Sequence, residues 1–353
     1  MSFLTLFRPC RMENLGAFLH NLRQTAMMQN GNNPKRLVRQ PRARLIPVAL
    51  TLIWSLQVLI ADPVRNVVDR NLVTFIFQFT ETNSFPIGTG FFVSVPAKAD
   101  PKVGSVYLVT AKHVLFDSNG HPPSHIAIRM NARDTNQVFY NLQVFCTGPN
   151  ASPVFTHPDK SIDVAVIHLA FDFKSVNITA LPASLLASRE SFKHFSIREG
   201  DEMFFLGLFT PFTGSKQNIP IYRFGRLSML SDEKIPFGQN DDEDLLLMET
   251  QVFGGNSGAP CFFYFDERRN PNDTKVLLAG VVKGYFRDWS EVRFVDTKQT
   301  PIASNHVGIS AVVPAYYILD ILQCEGLQAL RTTTEQSLNS RRTTNTPPTT
   351  HAK

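Results

Sequence analysis

The chain has 353 residues, of which 43% are hydrophobic and 18% charged, a balance typical of a globular protein with one large domain or two small ones. Its net charge of +5 is uneven, because residues 1–61 hold eight basic residues and one acid, residues 331–353 add +3, and residues 62–330 are left near −5. An acidic body excludes the usual nucleic-acid binder, whose basic charge lies in its folded part.

A basic and then apolar segment near the N-terminus predicts export. Residues 35–44 contain five Lys or Arg, and residues 45–61 are the uncharged run LIPVALTLIWSLQVLIA, which ends in a small residue. This order is typical of a secretory signal, so residues 1–61 are predicted to be a signal peptide and the mature protein to be periplasmic or secreted. Because 17 residues only just suffice for a membrane span, a retained anchor that leaves the protein facing outward is the alternative.

The cysteines do not indicate a disulfide framework or a metal site. Cys10 lies ahead of the apolar run, which leaves Cys146, Cys261 and Cys324, an odd number with no zinc-binding spacing. Buried thiols are therefore predicted, with one disulfide as the alternative. No metal or cofactor is expected.

Short apolar segments separated by turn residues predict an all-β fold. A first series contains LVTFIFQF, GTGFFVSV, VYLVTA and DVAVIHLAF, and a second, from Asp201, contains EMFFLGLF, LLLMET, APCFFYF, VLLAGVVKGYF and VGISAVV. Many short strands at such intervals favour a barrel or sandwich over a parallel α/β sheet.

The remaining segments are predicted to connect or follow the strands. LPASLLASRESFKHFSIREG lacks a strand pattern and is interpreted as a connector, and the acidic DDED at 241–244 as a solvated loop. PAYYILDILQCEGLQALR spaces its apolar residues at helical intervals and predicts one helix. The Thr-, Ser- and Pro-rich residues 331–353 are predicted to be disordered.

Three residues that could act together follow one another along the chain. VTAKHV places His113 after an apolar strand, SIDVAVIHL places Asp163 at the head of another, and GGNSGAP contains Ser257. A hydroxyl nucleophile needs a base, the base needs an orienting carboxylate, and the developing oxyanion needs amide donors such as those of a glycine-rich turn. Asp159 is the alternative carboxylate.

With these motifs the chain resembles the trypsin-like (chymotrypsin-fold) serine peptidases, most closely the bacterial extracytoplasmic members. GTGFFV, TAKH, EGDEMFFLG, RFGRLSML, LLAGVVKGYF and VGISAVVPA each resemble a family segment, in family order, over about residues 70–325. The resemblance implies two six-stranded antiparallel β-barrels with a C-terminal helix, the first barrel over residues 66–190 and the second, with the helix, over 191–330.

The resemblance also implies the roles of the site residues. His113 would be the general base and then the general acid, Asp163 would orient it, and Ser257 would be the nucleophile. The backbone amides of Gly255 and Ser257 would form the oxyanion hole.

Two positions depart from the family pattern. Asn256 stands where many digestive and clotting members have Asp, and because an amide cannot pair with a freed N-terminus, activation of that kind is not expected. Ala259 stands where glycine is more usual.

The residues expected to line the substrate pocket carry no acid. The position six before the serine, often the base of the first pocket, is Gln251, and Lys283 and Gly284 are expected along its wall. A small or medium apolar side chain is therefore expected before the cleaved bond. The sequence thus predicts a serine endopeptidase acting on polypeptides. The alternative is a catalytically silent binding module of the same fold.

Overall fold

The computed structural model describes residues 68–79, 83–97, 104–134, 139–148, 151–169, 173–237, 241–265, 275–291 and 302–344. The segment predicted to be a signal or anchor, residues 1–61, lies outside the described residues. None of the described helices combines the length and the apolar character that crossing a membrane requires. The chain is mostly β, as the sequence predicts.

The first half forms one curved, eight-stranded sheet. Its strands are paired in the order β5-β4-β1-β2-β3-β7-β6, and β8 pairs with β2 in parallel. The strands are β1 (Val73–Phe79), β2 (Ser84–Pro96), β3 (Gly104–Thr110), β4 (His125–Asn131), β5 (Phe139–Phe145), β6 (Val154–Thr156), β7 (Ala165–Leu169) and β8 (Leu181–Pro182).

This sheet differs from the closed six-stranded barrel that the sequence predicts. The Ser152 amide, just before β6, donates to the Phe145 carbonyl at the end of β5 at 2.8 Å, but no ladder pairs these two edge strands within the described residues. Because β6 has only three residues, it offers few backbone groups for a closing ladder. The first half is therefore a half-barrel.

The second half closes into the predicted six-stranded barrel, in the order β10-β13-β16-β15-β14-β9. Its strands are β9 (Glu202–Gly207), β10 (Ile221–Leu230), β13 (Leu246–Glu249), β14 (Pro260–Tyr264), β15 (Val276–Glu291) and β16 (Ile302–Pro314). A separate hairpin joins β11 (Ile235–Phe237) to β12 (Asp241–Glu243).

In the part of the chain that the structure describes, four helices accompany the strands: α1 (Lys112–Leu115), α2 (Arg189–His194), α3 (Tyr316–Leu322) and α4 (Glu325–Thr344). The connector thus contains a short helix, α2, and the single predicted C-terminal helix is two helices. Short 3-10 turns occupy Arg70–Leu72 and Ala183–Leu185.

Helix α4 corrects the prediction of a disordered tail over residues 331–344. The Arg331 side chain donates to the Leu322 carbonyl at 2.6 Å and lies over the Tyr107 ring of β3. The Thr333 and Thr334 hydroxyls donate to carbonyls four residues earlier, which satisfies them inside the helix. Residues 345–353 lie outside the described residues.

Phenylalanine dominates the buried core. The rings of Phe204 and Phe262 stack in the barrel with centroids 5.3 Å apart. The largest fully buried aromatic side chains are Phe75, Phe91, Phe92, Tyr107, Phe204, Phe205, Phe262, Phe263 and Phe265.

The three cysteines within the described residues are free thiols. Cys146 and Cys261 are buried, as predicted, and Cys324 is partly exposed. Burial raises the pKa of Cys146 to about 11.

Candidate active site

Strand pairing brings His113 and Asp163 together. In the antiparallel pair β3–β7, Thr110 at the end of β3 lies opposite Ala165 at the start of β7. His113 follows Thr110 by three residues, in α1, and Asp163 precedes Ala165 by two. Both side chains therefore emerge at the same end of the sheet.

Asp163 holds His113 through two hydrogen bonds. The Nδ1 atom of the His113 ring lies 2.6 Å from Oδ2 of Asp163, and the His113 amide donates to Oδ1 at 2.9 Å. The Asp163 side chain is only 6% exposed, whereas the His113 side chain is 47% exposed. The buried carboxylate is therefore fixed, and the imidazole that it holds is open to solvent. Asp159, the alternative, is exposed and contacts Ser161 and Lys234.

The Asp163 carboxylate is charged despite its burial. Burial alone would raise its pKa, but the hydrogen bond from His113 and the electrostatic interactions with His113 and Lys283 hold the pKa below its usual value. A charged acceptor at this distance favours the tautomer with the proton on Nδ1, which leaves Nε2 free to accept a proton.

Ser257 lies in a turn where the two halves meet. The Ser257 carbonyl accepts from the Thr89 amide of β2 at 2.9 Å, and the Gly258 amide donates to Val282 of β15 at 2.8 Å. Gly255 and Gly258 both have positive φ, +94° and +85°, which side chains rarely adopt.

Two backbone amides of this turn are available as hydrogen-bond donors. Among the described residues, the amides of Gly255 and Ser257 have no hydrogen-bond acceptor, while the Gly255 carbonyl is turned to the Thr89 hydroxyl at 2.7 Å. Two unoccupied donors in one turn can bind an anionic oxygen.

The buried side chain of Asn256 stabilises this turn through two hydrogen bonds. It is 1% exposed; its oxygen accepts from the Phe253 amide at 2.9 Å, and its nitrogen donates to the Leu208 carbonyl at 2.7 Å. A carboxylate could replace only the first of these bonds, because it cannot donate.

Replacing Asn256 with aspartate is therefore expected to lower the free energy of unfolding at pH 7 by about 2 kcal/mol or more, the cost of a buried charge facing a carbonyl. The loss should shrink as the pH falls, since a protonated carboxyl can donate to Leu208. Urea unfolding at pH 7 and at pH 4.5 measures both effects. Asn119→Asp, in an exposed loop, is the control. Equal stability of the two variants at pH 7 would contradict the prediction.

His113 and Ser257 line one cavity of about 720 Å³. The Ser257 hydroxyl donates to the backbone carbonyl of Lys283 at 3.0 Å. Ser257 and His113 therefore border the same cavity, but the serine hydroxyl donates to a carbonyl of the cavity wall and not to the His113 ring.

The predicted pocket residues are only partly brought together. Lys283 and Gly284 line the cavity as expected, whereas Gln251 is exposed and lies outside the lining. The adjacent Val252 lines it instead, and its amide donates to Nε2 of His306 at 3.0 Å. Aromatic residues that the sequence did not single out complete the wall: Phe237, Phe253, Tyr285 and Phe286.

Two further residues at the site were missed. Thr89, fully buried, joins the halves: its hydroxyl donates to Gly255 and accepts from the Leu208 amide at 2.8 Å. Glu243, which the sequence predicts to lie in a solvated acidic loop, is 6% exposed and contacts Lys283. Only the hydrophobic run that follows DDED hinted at this burial.

No group of three or more potential metal ligands occurs among the described residues.

No family model and no curated protein matches the sequence. The solved structures similar to this chain include trypsin-like serine protease domains of the HtrA/Deg type. The MamO protease domain from Magnetospirillum magneticum is 14% identical, with a TM-score of 0.41, over 72% of this chain and 97% of that chain. The HtrA-type protease AlgW with a tripeptide is 16% identical, with a TM-score of 0.41, over 72% and 59%. Deg5 is 15% identical, with a TM-score of 0.38, over 71% and 86%. Identities this low leave the chemistry to be argued from this chain's own side chains.

Proposed function

We propose that this protein is a serine-type endopeptidase with His113, Asp163 and Ser257 as its triad. The observation that carries the proposal is the short His113–Asp163 contact beside a serine on the same cavity. Acyl transfer requires a carboxylate that orients an imidazole and a serine on the same cavity, and these residues supply both.

In the proposed reaction, the Ser257 oxygen attacks the carbonyl carbon of a peptide bond while Nε2 of His113 takes the hydroxyl proton. The amides of Gly255 and Ser257 stabilise the resulting oxyanion, and Asp163 stabilises the imidazolium. His113 then gives the proton to the leaving amine as the C–N bond breaks. Water, deprotonated by His113, hydrolyses the acyl-enzyme and restores the serine.

Substrate binding also accounts for how the hydroxyl is released. The Lys283 carbonyl that now accepts the Ser257 hydroxyl lies on β15, along the cavity wall. A backbone amide of an extended substrate that donates to this carbonyl would displace the hydroxyl, which then turns to His113. Catalytic hydrogen bonds often form only in such a complex.

The finer features of the proposal follow from the same residues. The aromatic wall supports an apolar preference before the cleaved bond, and the proposed reaction requires neither a metal nor a cofactor. We also propose two domains, the half-barrel over residues 66–190 and the closed barrel over 191–330, in an exported protein that is free or tethered by residues 45–61. A mature N-terminus at Asp62, read by mass spectrometry, would distinguish the free form.

Labelling by a fluorophosphonate probe tests the proposal, because only an activated serine reacts with it rapidly. We expect labelling of the purified wild type and none of Ser257→Ala, with Ser231→Ala as a control from a loop outside the cavity. A folded wild type that is not labelled would favour the silent binding module.

A labelled protein is then screened against a peptide library, where fast cleavage after Arg and none after Val, Ala or Phe would overturn the apolar preference.

A further inference from the structure

A buried Lys–Glu pair lies against the triad carboxylate. The Lys283 ammonium contacts both carboxylate oxygens of Glu243 and lies 3.8 Å from Oδ2 of Asp163. The side chains of Lys283 and Glu243 are only 14% and 8% exposed. Oδ2 of Asp163 is also the atom that faces Nδ1 of His113. One oxygen therefore has both an ammonium and an imidazole as neighbours.

The pair is held in place from outside the site. Glu243 ends β12, opposite Ile235 of β11, and the next residue, Asp244, accepts hydrogen bonds from the Tyr316 and Tyr317 hydroxyls at 2.6 and 2.7 Å. These tyrosines begin α3. The consecutive acids Glu243 and Asp244 thus connect α3 to the triad. The prediction that residues 241–244 form a solvated loop is therefore wrong for these two residues.

The charges of the pair act on the triad with opposite signs. A protonated His113 would share one carboxylate oxygen with the Lys283 ammonium, so Lys283 opposes protonation of the ring. Glu243 cancels part of this effect because its negative charge lies against the same ammonium. The pair therefore fixes Asp163 and balances the charge that His113 experiences.

We propose that Lys283 and Glu243 are positioning residues that set the pH at which His113 becomes a usable base. The proposal rests on the proposed function for its link to catalysis, but the balance of charges is a property of the folded protein. The proposal is supported by the contacts among the side chains of His113, Asp163, Lys283 and Glu243. It is also supported by the low solvent exposure of all of these side chains except His113.

Other charged groups near His113 are unchanged when residue 283 or residue 243 is replaced. Lys112, next to it in α1, donates through Nζ to the Lys160 and Ile162 carbonyls. Arg287 lines the same cavity, with its guanidinium 5.1 Å from the centroid of the Tyr285 ring. Neither can account for shifts that follow the charge at residues 283 and 243.

The rate of fluorophosphonate labelling should fall at low pH as His113 becomes protonated. The pH of this fall, the acid limb of the profile, measures the opposing effects of Lys283 and Glu243 on His113. A unit charge about 6 Å away, at an effective dielectric constant near 20, moves a proton equilibrium by about two pH units, and we expect about one unit after partial compensation. Lys283→Met should move the limb to higher pH, because it leaves a negative Glu243. Glu243→Gln should move it to lower pH, because it leaves a positive Lys283.

Three further variants separate charge from structure. The double variant Lys283→Met/Glu243→Gln should return the limb close to its wild-type position, and Lys283→Arg, which keeps the charge, should leave it within about 0.3 units. Lys234→Met removes the lysine of an exposed pair with Asp159 and should shift nothing. A purely structural role would lower the rates without shifts of opposite sign.

The same directions of shift are expected for the protonation of His113 in a variant that lacks the serine nucleophile. In Ser257→Ala, the pH midpoint of the His113 ring-proton signal, followed by NMR, should move up with Lys283→Met and down with Glu243→Gln. Opposite shifts in NMR without labelling of the serine would support the pair and contradict the proposed function. Shifts that are absent, or of the same sign in both variants, would overturn the pair.

Discussion

Replacing Asp163 with asparagine should lower kcat by about 10⁴-fold while the protein stays folded. The new side chain keeps an oxygen to accept from the His113 amide, a bond of 2.9 Å in the wild type. Its NH₂ group then faces Nδ1, and because this group donates, it stabilises the tautomer with the proton on Nε2. That nitrogen can no longer take the proton of Ser257. Peptide hydrolysis rates and circular dichroism measure the two parts of the prediction.

Asp159→Asn is the matched control, because Asp159 is the nearby carboxylate that the sequence offered as an alternative. It lies in an exposed turn, bound by Ser161 and Lys234, and its loss should change kcat by less than about two-fold. Equal losses in the two variants would argue against Asp163 as the orienting group. So would retention of more than a tenth of the activity by Asp163→Asn.

Protonation of Asp163 cannot explain a loss of activity in the neutral pH range. Its pKa lies below the ordinary 3.8, since the contacts with His113 and Lys283 outweigh burial. The charged form is therefore present throughout the neutral range, and its contribution to stability is present above pH 3.8 and is lost only as the pH falls through the lower folded-state pKa. Loss of activity at higher pH must arise from another group.

The parts of the site that adjoin strands could be predicted from the sequence. His113 follows an apolar strand by three residues and Asp163 heads another, and any antiparallel pairing of β3 with β7 brings those ends together. The glycines around Ser257 indicated positive φ angles, and Gly255 and Gly258 have them. These features depend on local patterns, so a single sequence contains them.

The parts that depend on distant partners could not be predicted. Thr89 is one small residue in a glycine-rich strand, and its role depends on Gly255, 166 residues away. Glu243 has the composition of a solvated loop, and only its contact with Lys283 explains its burial. The first half fails to close because β6 is short, a length that the apolar pattern around residue 154 does not define.

Replacing Gly258 with alanine should be the most destabilising single change at the site. Gly258 has φ +85°, and a Cβ there would overlap the Thr89 carbonyl oxygen and the Thr110 hydroxyl, which bond each other at 2.7 Å. The left-handed conformation costs about 1–2 kcal/mol, and overpacking adds about 1–3 kcal/mol, so the free energy of unfolding should fall by about 3 kcal/mol or more. Serine labelling should be lost too, because Gly258 follows the nucleophile directly.

Two other glycines separate the causes of that loss. Gly148 has φ +95° with open space around it, so Gly148→Ala measures the backbone cost alone and should lower stability by about 1 kcal/mol. Gly254 lies in the same turn as Gly258, with open space and no positive φ, and its alanine variant should stay within about 0.5 kcal/mol of wild type. Urea unfolding of the three variants gives the comparison. If Gly258→Ala were no worse than Gly148→Ala, the close contact between this turn and β2 would not exist in solution, and the two halves would not hold Ser257 as described.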